Sequence, residues 1–215
     1  MATPIGPFKA VCFDVGGVLT QPMNAVMIKS ATDAGIDLEV LGPVFHAMFV
    51  SEGDDETPGH RLERGEITIE EFLDIVGVHG GEIRKVLHPD SEHFAMAKLS
   101  PSHEMHNLVR EVRDAGFATG IISNVVHEWM PWWDKFVPPP NMFDTILYSC
   151  IVGLRKPNPS IYAAAIANLN VEPHEVLYLD DFEPMANAAR DAGMHVVHVH
   201  DHSAAIAEVR LTLAL

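Results

Sequence analysis

The 215-residue sequence is short of positive charge: 14 Lys and Arg stand against 30 Asp and Glu, a formal net charge of −16. Nucleic acid and anionic membrane both need a basic footprint, so neither is expected as a partner. Cysteine is scarce too. Cys12 and Cys150 each sit in an apolar run, and neither belongs to a CxxC pair. That excludes a disulfide framework and leaves two buried free thiols as the expectation, in keeping with a reducing cytoplasm. No stretch of about 18 apolar residues occurs, so no membrane span is expected. The opening MATPIGPFKA has no apolar stretch behind a charged one, and no signal peptide is expected. No serine or cysteine triad can be assembled, and no His/Cys cluster has zinc spacing.

What is present suits a globular chain, with 47% hydrophobic and 20% charged residues. Five short apolar runs read as buried strands: Lys9–Val15, Ala118–Asn124, Thr145–Ser149, Val176–Asp181 and His195–Val199. Helical spacing lies between the last four and after them. Ser102–Ala115 has Ser102 as an N-cap and Gly116 as a stop. Pro159–Leu169 starts with a proline suited to a first turn, Glu183–Ala192 ends at Gly193, and Ser203–Leu213 closes the chain. Strands alternating with helices imply an α/β fold, a parallel sheet covered on both faces.

The interval 21–100 breaks that rhythm. It carries helical patterns at Ala25–Ala34, Leu38–Phe49 and Ile69–Val76, and no convincing strand. An α-helical insertion after the first strand accounts for it, giving a core of 1–20 and 101–215 and a helical unit of 21–100. Ser51–His60 reads as a polar loop, and the Trp- and Pro-rich Trp129–Pro140 as a packed surface loop. His195, His198, His200 and His202 form a surface or edge cluster in this reading rather than a metal tract.

Ligands of an open α/β sheet bind at the carboxyl ends of the strands. Asp14 follows the first strand, Ser123 and Asn124 the second, and Asp180 and Asp181 the fourth, while Lys156 lies in the loop after the third. Taken singly, an Asp or a Ser-Asn at a strand end is most often a cap or turn residue. Taken together, these types in this order describe a crevice with a purpose. Gly16 and Gly17 let the chain turn tightly beside a ligand. A carboxylate such as Asp14 can attack phosphorus. The adjacent Asp180 and Asp181 repel each other unless a cation sits between them, and with Asp14 they make a hard-oxygen site suited to Mg²⁺. Ser123 and Asn124 can donate to phosphoryl oxygens, and Lys156 can pair with developing charge and with Asp14.

These segments resemble the four motifs of the haloacid dehalogenase-like hydrolases: FDVGGVLT, IISN, GLRKPNPSIY and YLDDFEPMANAARDAGM, in that order. LERGEITIEEF, inside the insertion, is similar to the helical cap of the subgroup whose cap lies between the first two motifs. The resemblance implies a Rossmann-like core and a Mg²⁺-dependent hydrolase, with Asp14 as nucleophile and metal ligand. It implies phosphate contacts from Ser123, Asn124 and Lys156, metal binding by Asp180, Asp181 and the Gly16 carbonyl, and a small phosphorylated metabolite as substrate.

Two departures from the family pattern stand out. Phosphatases of this family carry a second Asp two residues after the nucleophile, as acid and base; here that place is Gly16. Met185 occupies a place where relatives often have Asn. The expectation is slow turnover, substrates with good leaving groups, or an acid borrowed from the cap, with His46, Glu52, Asp54, Asp55 and His60 as candidates. Two other readings stand beside the phosphatase. One is a dehalogenase attacking carbon, which Asp180 and Asp181 disfavour; the other is a binding or regulatory protein of low activity.

Overall fold

The computed structural model describes residues 6–46 and 57–215. β1 (Ala10–Phe13), β2 (Ala118–Ser123), β3 (Thr145–Tyr148), β4 (Val176–Asp180) and β5 (His195–His198) form one parallel sheet in the order β3-β2-β1-β4-β5. Between β1 and β2 lie α1 (Met23–Asp33), α2 (Leu38–Phe45), α3 (Pro58–Glu63), α4 (Ile69–Val76), α5 (Gly80–Leu87) and α6 (His103–Asp114). Beyond β2 follow α7 (Met130–Trp133), α8 (Ser149–Val152), α9 (Pro159–Leu169), α10 (Glu183–Asp191) and α11 (His202–Leu213).

Strand alternation sorts the core into two layers. Val11 and Phe13 of β1 and Leu177 and Leu179 of β4 join the apolar cluster that includes Leu108 of α6 and Val209 of α11. Ala10, Cys12 and Tyr178 face the other way, onto Ile161 of α9 and Ala189 of α10. β1 and β4 are therefore buried at every position, whereas the edge strand β5 exposes His195. The chain runs outward from β1 through β2 to β3, then returns to place β4 on the other side of β1. That reversal makes the β1–β4 junction the switch point of the sheet, and its carboxyl end the natural crevice.

α1 to α5 grow out of the β1–α6 connection. The chain leaves and re-enters side by side: Thr20 pairs antiparallel with Pro101, Gln21 N–H donates to Ser100 O at 2.9 Å, and Ser102 N–H to Leu19 O at 2.8 Å. α4 begins with a full capping box between Thr68 and Glu71 and buries Ile69, Phe72 and Leu73 on one face. Among the described residues no helix is long and apolar enough to cross a membrane.

Several sequence expectations need correction. α3 starts at Pro58, so the end of the expected 51–60 loop is helical; residues 51–56 lie outside the described ones, as does the end of the helix expected to reach Phe49. Thr57 caps α3 from its side chain, a start signal that the Pro-Gly pair obscures. α5 was not anticipated, because its first two residues are glycine. β1 stops at Phe13, one residue short of Asp14, whose side chain caps the turn Val15–Leu19. Trp129 and Trp133 are buried, 3% and 1% exposed, rather than on a surface loop, and Cys150 is only partly buried. Ser102 stands at the α6 N-cap position but makes no capping bond; its hydroxyl meets Nδ1 of His202 at 2.9 Å.

Candidate active site

Asp14 and the pair Asp180-Asp181 sit where the two switch-point strands end, Ser123 and Asn124 sit at the end of the neighbouring β2, and Lys156 lies in the loop between α8 and α9. Asp14 continues β1, and its N–H donates to Leu179 O of β4 at 2.9 Å, which locks the two strand ends together. Its Oδ1 accepts from the Val15 N–H at 2.7 Å, its Oδ2 lies 3.1 Å from Lys156 Nζ, and the Ser123 side chain hydrogen-bonds to the same carboxylate. The carboxylate is held on both oxygens and cannot swing freely. Burial pushes its pKa up, Lys156 pulls it down, and Asp180 pushes it up again; the result is above the ordinary aspartate value.

Asp180 ends β4 and is completely buried. Its Oδ2 accepts from Lys156 Nζ at 2.7 Å and from the Tyr178 hydroxyl at 2.7 Å, and its Oδ1 accepts from Phe182 N–H at 2.9 Å. Lys156, itself buried, thus bridges Asp14 and Asp180. Burial alone would favour the neutral amine; the two carboxylates outweigh it and hold the ammonium above the ordinary lysine value. Asp181 is partly exposed, and burial together with Asp14 and Asp180 raises its carboxyl to about 7.

One oxygen each from Asp14, Asp180 and Asp181 lies within 4.8 Å of the others. Three carboxylates so close, two of them driven toward protonation, are a donor set in want of a cation, and all-oxygen donors suit Mg²⁺. The glycines permit this approach. Gly17 has φ +72°, and a Cβ there would fall 1.9 Å from Asp181 Oδ2. Gly16 is roomier: a Cβ would meet only the flexible tip of Met23, at 3.3 Å.

Asn124 behaves differently from its sequence reading. Its Oδ1 accepts from the Lys156 N–H at 2.8 Å and its Nδ2 donates to Lys156 O at 3.0 Å. The side-chain amide therefore grips the backbone of the residue that grips Asp14. Glu63 of α3 and Arg155 were not singled out from the sequence, although both lie in motif-like segments. They form a buried pair at 2.8 Å, and Asn124 Nδ2 lies 3.4 Å from the same Glu63 oxygen. Burial pushes the Glu63 carboxyl up, and Arg155 acts against it. Of the other cap candidates, His46 is exposed, His60 is fully buried, and Glu52, Asp54 and Asp55 lie outside the described residues. The histidine tract does not gather on one point. His195 packs edge-on against Phe8, His198 contacts Asp181 O at 3.2 Å, and His202 spans Gly17 O and Ser102 Oγ at 2.9 Å each.

Asp14, Ser123, Asn124, Lys156 and Asp181 border a cavity of about 220 Å³ whose remaining walls include Met23, Met27, Val126, Trp129, Trp133, Phe182 and Met185. A larger, more polar cavity of about 590 Å³ touches Gly17 and Asp181 but neither Asp14 nor Lys156, so it is the smaller one that holds Asp14.

The family model for haloacid dehalogenase-like hydrolases matches residues 8–193. The chain belongs to the haloacid dehalogenase-like hydrolases. It is 28% identical over 211 residues to acyl-CoA dehydrogenase family member 10 of Mus musculus, covering 96% of this chain but 19% of that protein. It thus spans about a fifth of that relative's length. It is 27% identical to the sesquiterpene phosphatase astK of Aspergillus oryzae, covering 94% of this chain and 95% of that one. The fold matches that of a HAD family enzyme of Bacteroides thetaiotaomicron, solved with magnesium and inorganic phosphate, at a TM-score of 0.64 and 20% identity, over 92% of this chain and 98% of that one. Among haloacid dehalogenase-like hydrolases, then, this one carries the acidic pair Asp180-Asp181 while keeping no side chain at position 16.

Proposed function

We propose that this hydrolase is a Mg²⁺-dependent phosphatase that removes the phosphoryl group of a small phosphorylated metabolite through a covalent phosphate on Asp14. The convergence of Asp14, Asp180 and Asp181 within 4.8 Å of one another, with Lys156 bridging two of them, carries the reading. In it, Asp14, Asp180, Asp181 and the Gly16 carbonyl would hold Mg²⁺, which would supply the countercharge that an anionic substrate needs in a chain of net charge −16.

The chain's own groups do the rest. An Asp14 oxygen attacks phosphorus, the bond from phosphorus to the leaving oxygen breaks, and the alcohol departs with its electron pair and a proton from water. Water then attacks the phosphorus, the bond to Asp14 breaks, and inorganic phosphate leaves with the carboxylate restored. Ser123 offers its hydroxyl, Asn124 its main-chain N–H and Lys156 its ammonium to the phosphoryl oxygens. Gly16 brings no acid to the leaving group, and proton transfer by a placed side chain typically supplies about 10²–10⁴-fold. Turnover of esters with poor leaving groups is therefore expected to be slow.

The test is phosphate release from an activated aryl phosphate with Mg²⁺, wild type beside Asp14→Asn. We expect turnover that the variant and a chelator each abolish. Equal rates in the two proteins contradict the covalent mechanism, and full activity under chelation contradicts the metal.

A further inference from the structure

The cavity that receives the leaving group is walled by hydrocarbon, sulfur and aromatic surface. Beyond the groups already assigned to the phosphoryl end, its lining includes Met23, Met27, Val126, Trp129, Trp133 and Phe182. Met27, Val126, Trp129 and Trp133 are at most 4% exposed, so they cannot turn outward to be replaced by water. Of the polar groups nearby, Glu63 is bound to Arg155 and the Trp129 indole N–H donates to Leu87 O at 2.9 Å, while the Trp133 indole N–H is buried without a partner and the exposed Asn24 also borders the cavity. A sugar or polyol phosphate brings several hydroxyls, more than these two groups could pair, and those left over would lose water here at a cost for each. A hydrocarbon chain or ring loses nothing by entering and gains by leaving water. Methionines and tryptophans in one wall adapt to a flexible apolar guest.

We infer that the substrate is a phosphate monoester with a hydrocarbon leaving group, and that this wall selects it. The inference rests on the phosphatase reading for the placement of the phosphoryl group. The volume, about 220 Å³, lies below the 300–1,000 Å³ common for drug-sized ligands. The apolar gain therefore saturates after a short length of chain.

A ladder of straight-chain alkyl phosphates, propyl to decyl, tests this on Asp14→Asn with Mg²⁺, by titration calorimetry. Glucose 6-phosphate and glycerol phosphate serve as polar comparisons. Binding without turnover is read, so the outcome does not depend on whether the wild type is a phosphatase. We expect affinity to rise up to about fourfold per methylene over the first members and then level off, with both polar phosphates at least tenfold weaker than hexyl phosphate. A flat ladder, or polar phosphates that bind as well as hexyl phosphate, overturns the inference while leaving the phosphatase reading intact. Met27→Gln places an amide in the wall, and we expect it to flatten the ladder. A folded variant with an unchanged slope also overturns the inference; if it fails to fold, the ladder on Asp14→Asn decides alone.

Discussion

Asn124 holds Lys156 by its backbone, accepting from its N–H at 2.8 Å and donating to its carbonyl at 3.0 Å. The two residues are 32 positions apart, on loops after β2 and before α9. Their double hydrogen bond sets the height from which the Lys156 ammonium reaches Asp14 and Asp180. We predict that Asn124→Ala lowers kcat by about 10²-fold, the penalty of misplacing a catalytic group by about an ångström. Steady-state kinetics on folded protein would check this; a kcat within twofold of wild type would show that Lys156 is held by its carboxylates alone.

On the proposed reading, Asp181 makes Mg²⁺ binding depend on pH. Its carboxyl is raised to about 7, so below that pH the metal-free protein carries a proton that Mg²⁺ must displace. The sign for stability follows. The folded state binds this proton more tightly than the unfolded chain does, so the stabilisation it brings is lost as pH rises from about 4 to about 7. Mg²⁺ restores it above that range. We predict apparent Mg²⁺ affinity to weaken by up to tenfold per unit as pH falls below 7, and the Mg²⁺-induced rise in Tm to be larger at pH 8 than at pH 6. Equal rises at both would mean that Asp181 is already ionised at pH 6.

Gly16 can be given the acid it lacks. A Cβ at this position meets only Met23 Sδ at 3.3 Å, and φ is −64°, open to any residue. We predict that Gly16→Asp raises turnover of alkyl phosphates, whose leaving groups need a proton, by about 10²-fold at most, and aryl phosphates much less. The ratio of the two rates is the measurement. A ratio unchanged from wild type would show that another group already moves the proton.

The sheet was legible because its strands are apolar runs too short for helices, each closed by a polar residue, and covered strands must read that way. Asp14, Ser123, Asp180 and Asp181 were legible as types at strand ends, and Lys156 as a lysine in the loop after the third strand. The partnerships were not. That Asn124 grips a backbone and Glu63 meets Arg155 depends on segments 32 and 92 residues apart. α3 and α5 escaped because Pro58-Gly59 and Gly80-Gly81 open them; burial of Leu62, Ile83 and Leu87 sustains what local propensity does not. Trp129 looked like a surface residue because nothing local reveals its bond to Leu87 O or its contact with Phe94.

The pair between Glu63 of α3 and Arg155, in the loop after α8, ties the helices inserted between β1 and β2 to the rest of the fold. Their side chains are 7% and 1% exposed, and the Glu63 carbonyl also accepts from Ser149 Oγ at 2.6 Å. Removing one member strands the other charge in a dry place, which typically costs about 3–5 kcal/mol. At about 2–4 °C per kcal/mol for a chain of this size, Glu63→Ala should lower Tm by roughly 10 °C. The Ser149 bond uses main chain and survives, so the loss reports the charge rather than the docking. Glu63→Leu combined with Arg155→Met removes both charges and keeps the volume. We predict that this double variant regains most of the lost Tm, because well-packed hydrophobic side chains replace a buried ion pair at little cost. A double variant no more stable than Glu63→Ala would mean that the pair is held for its geometry, with each charge partnered elsewhere.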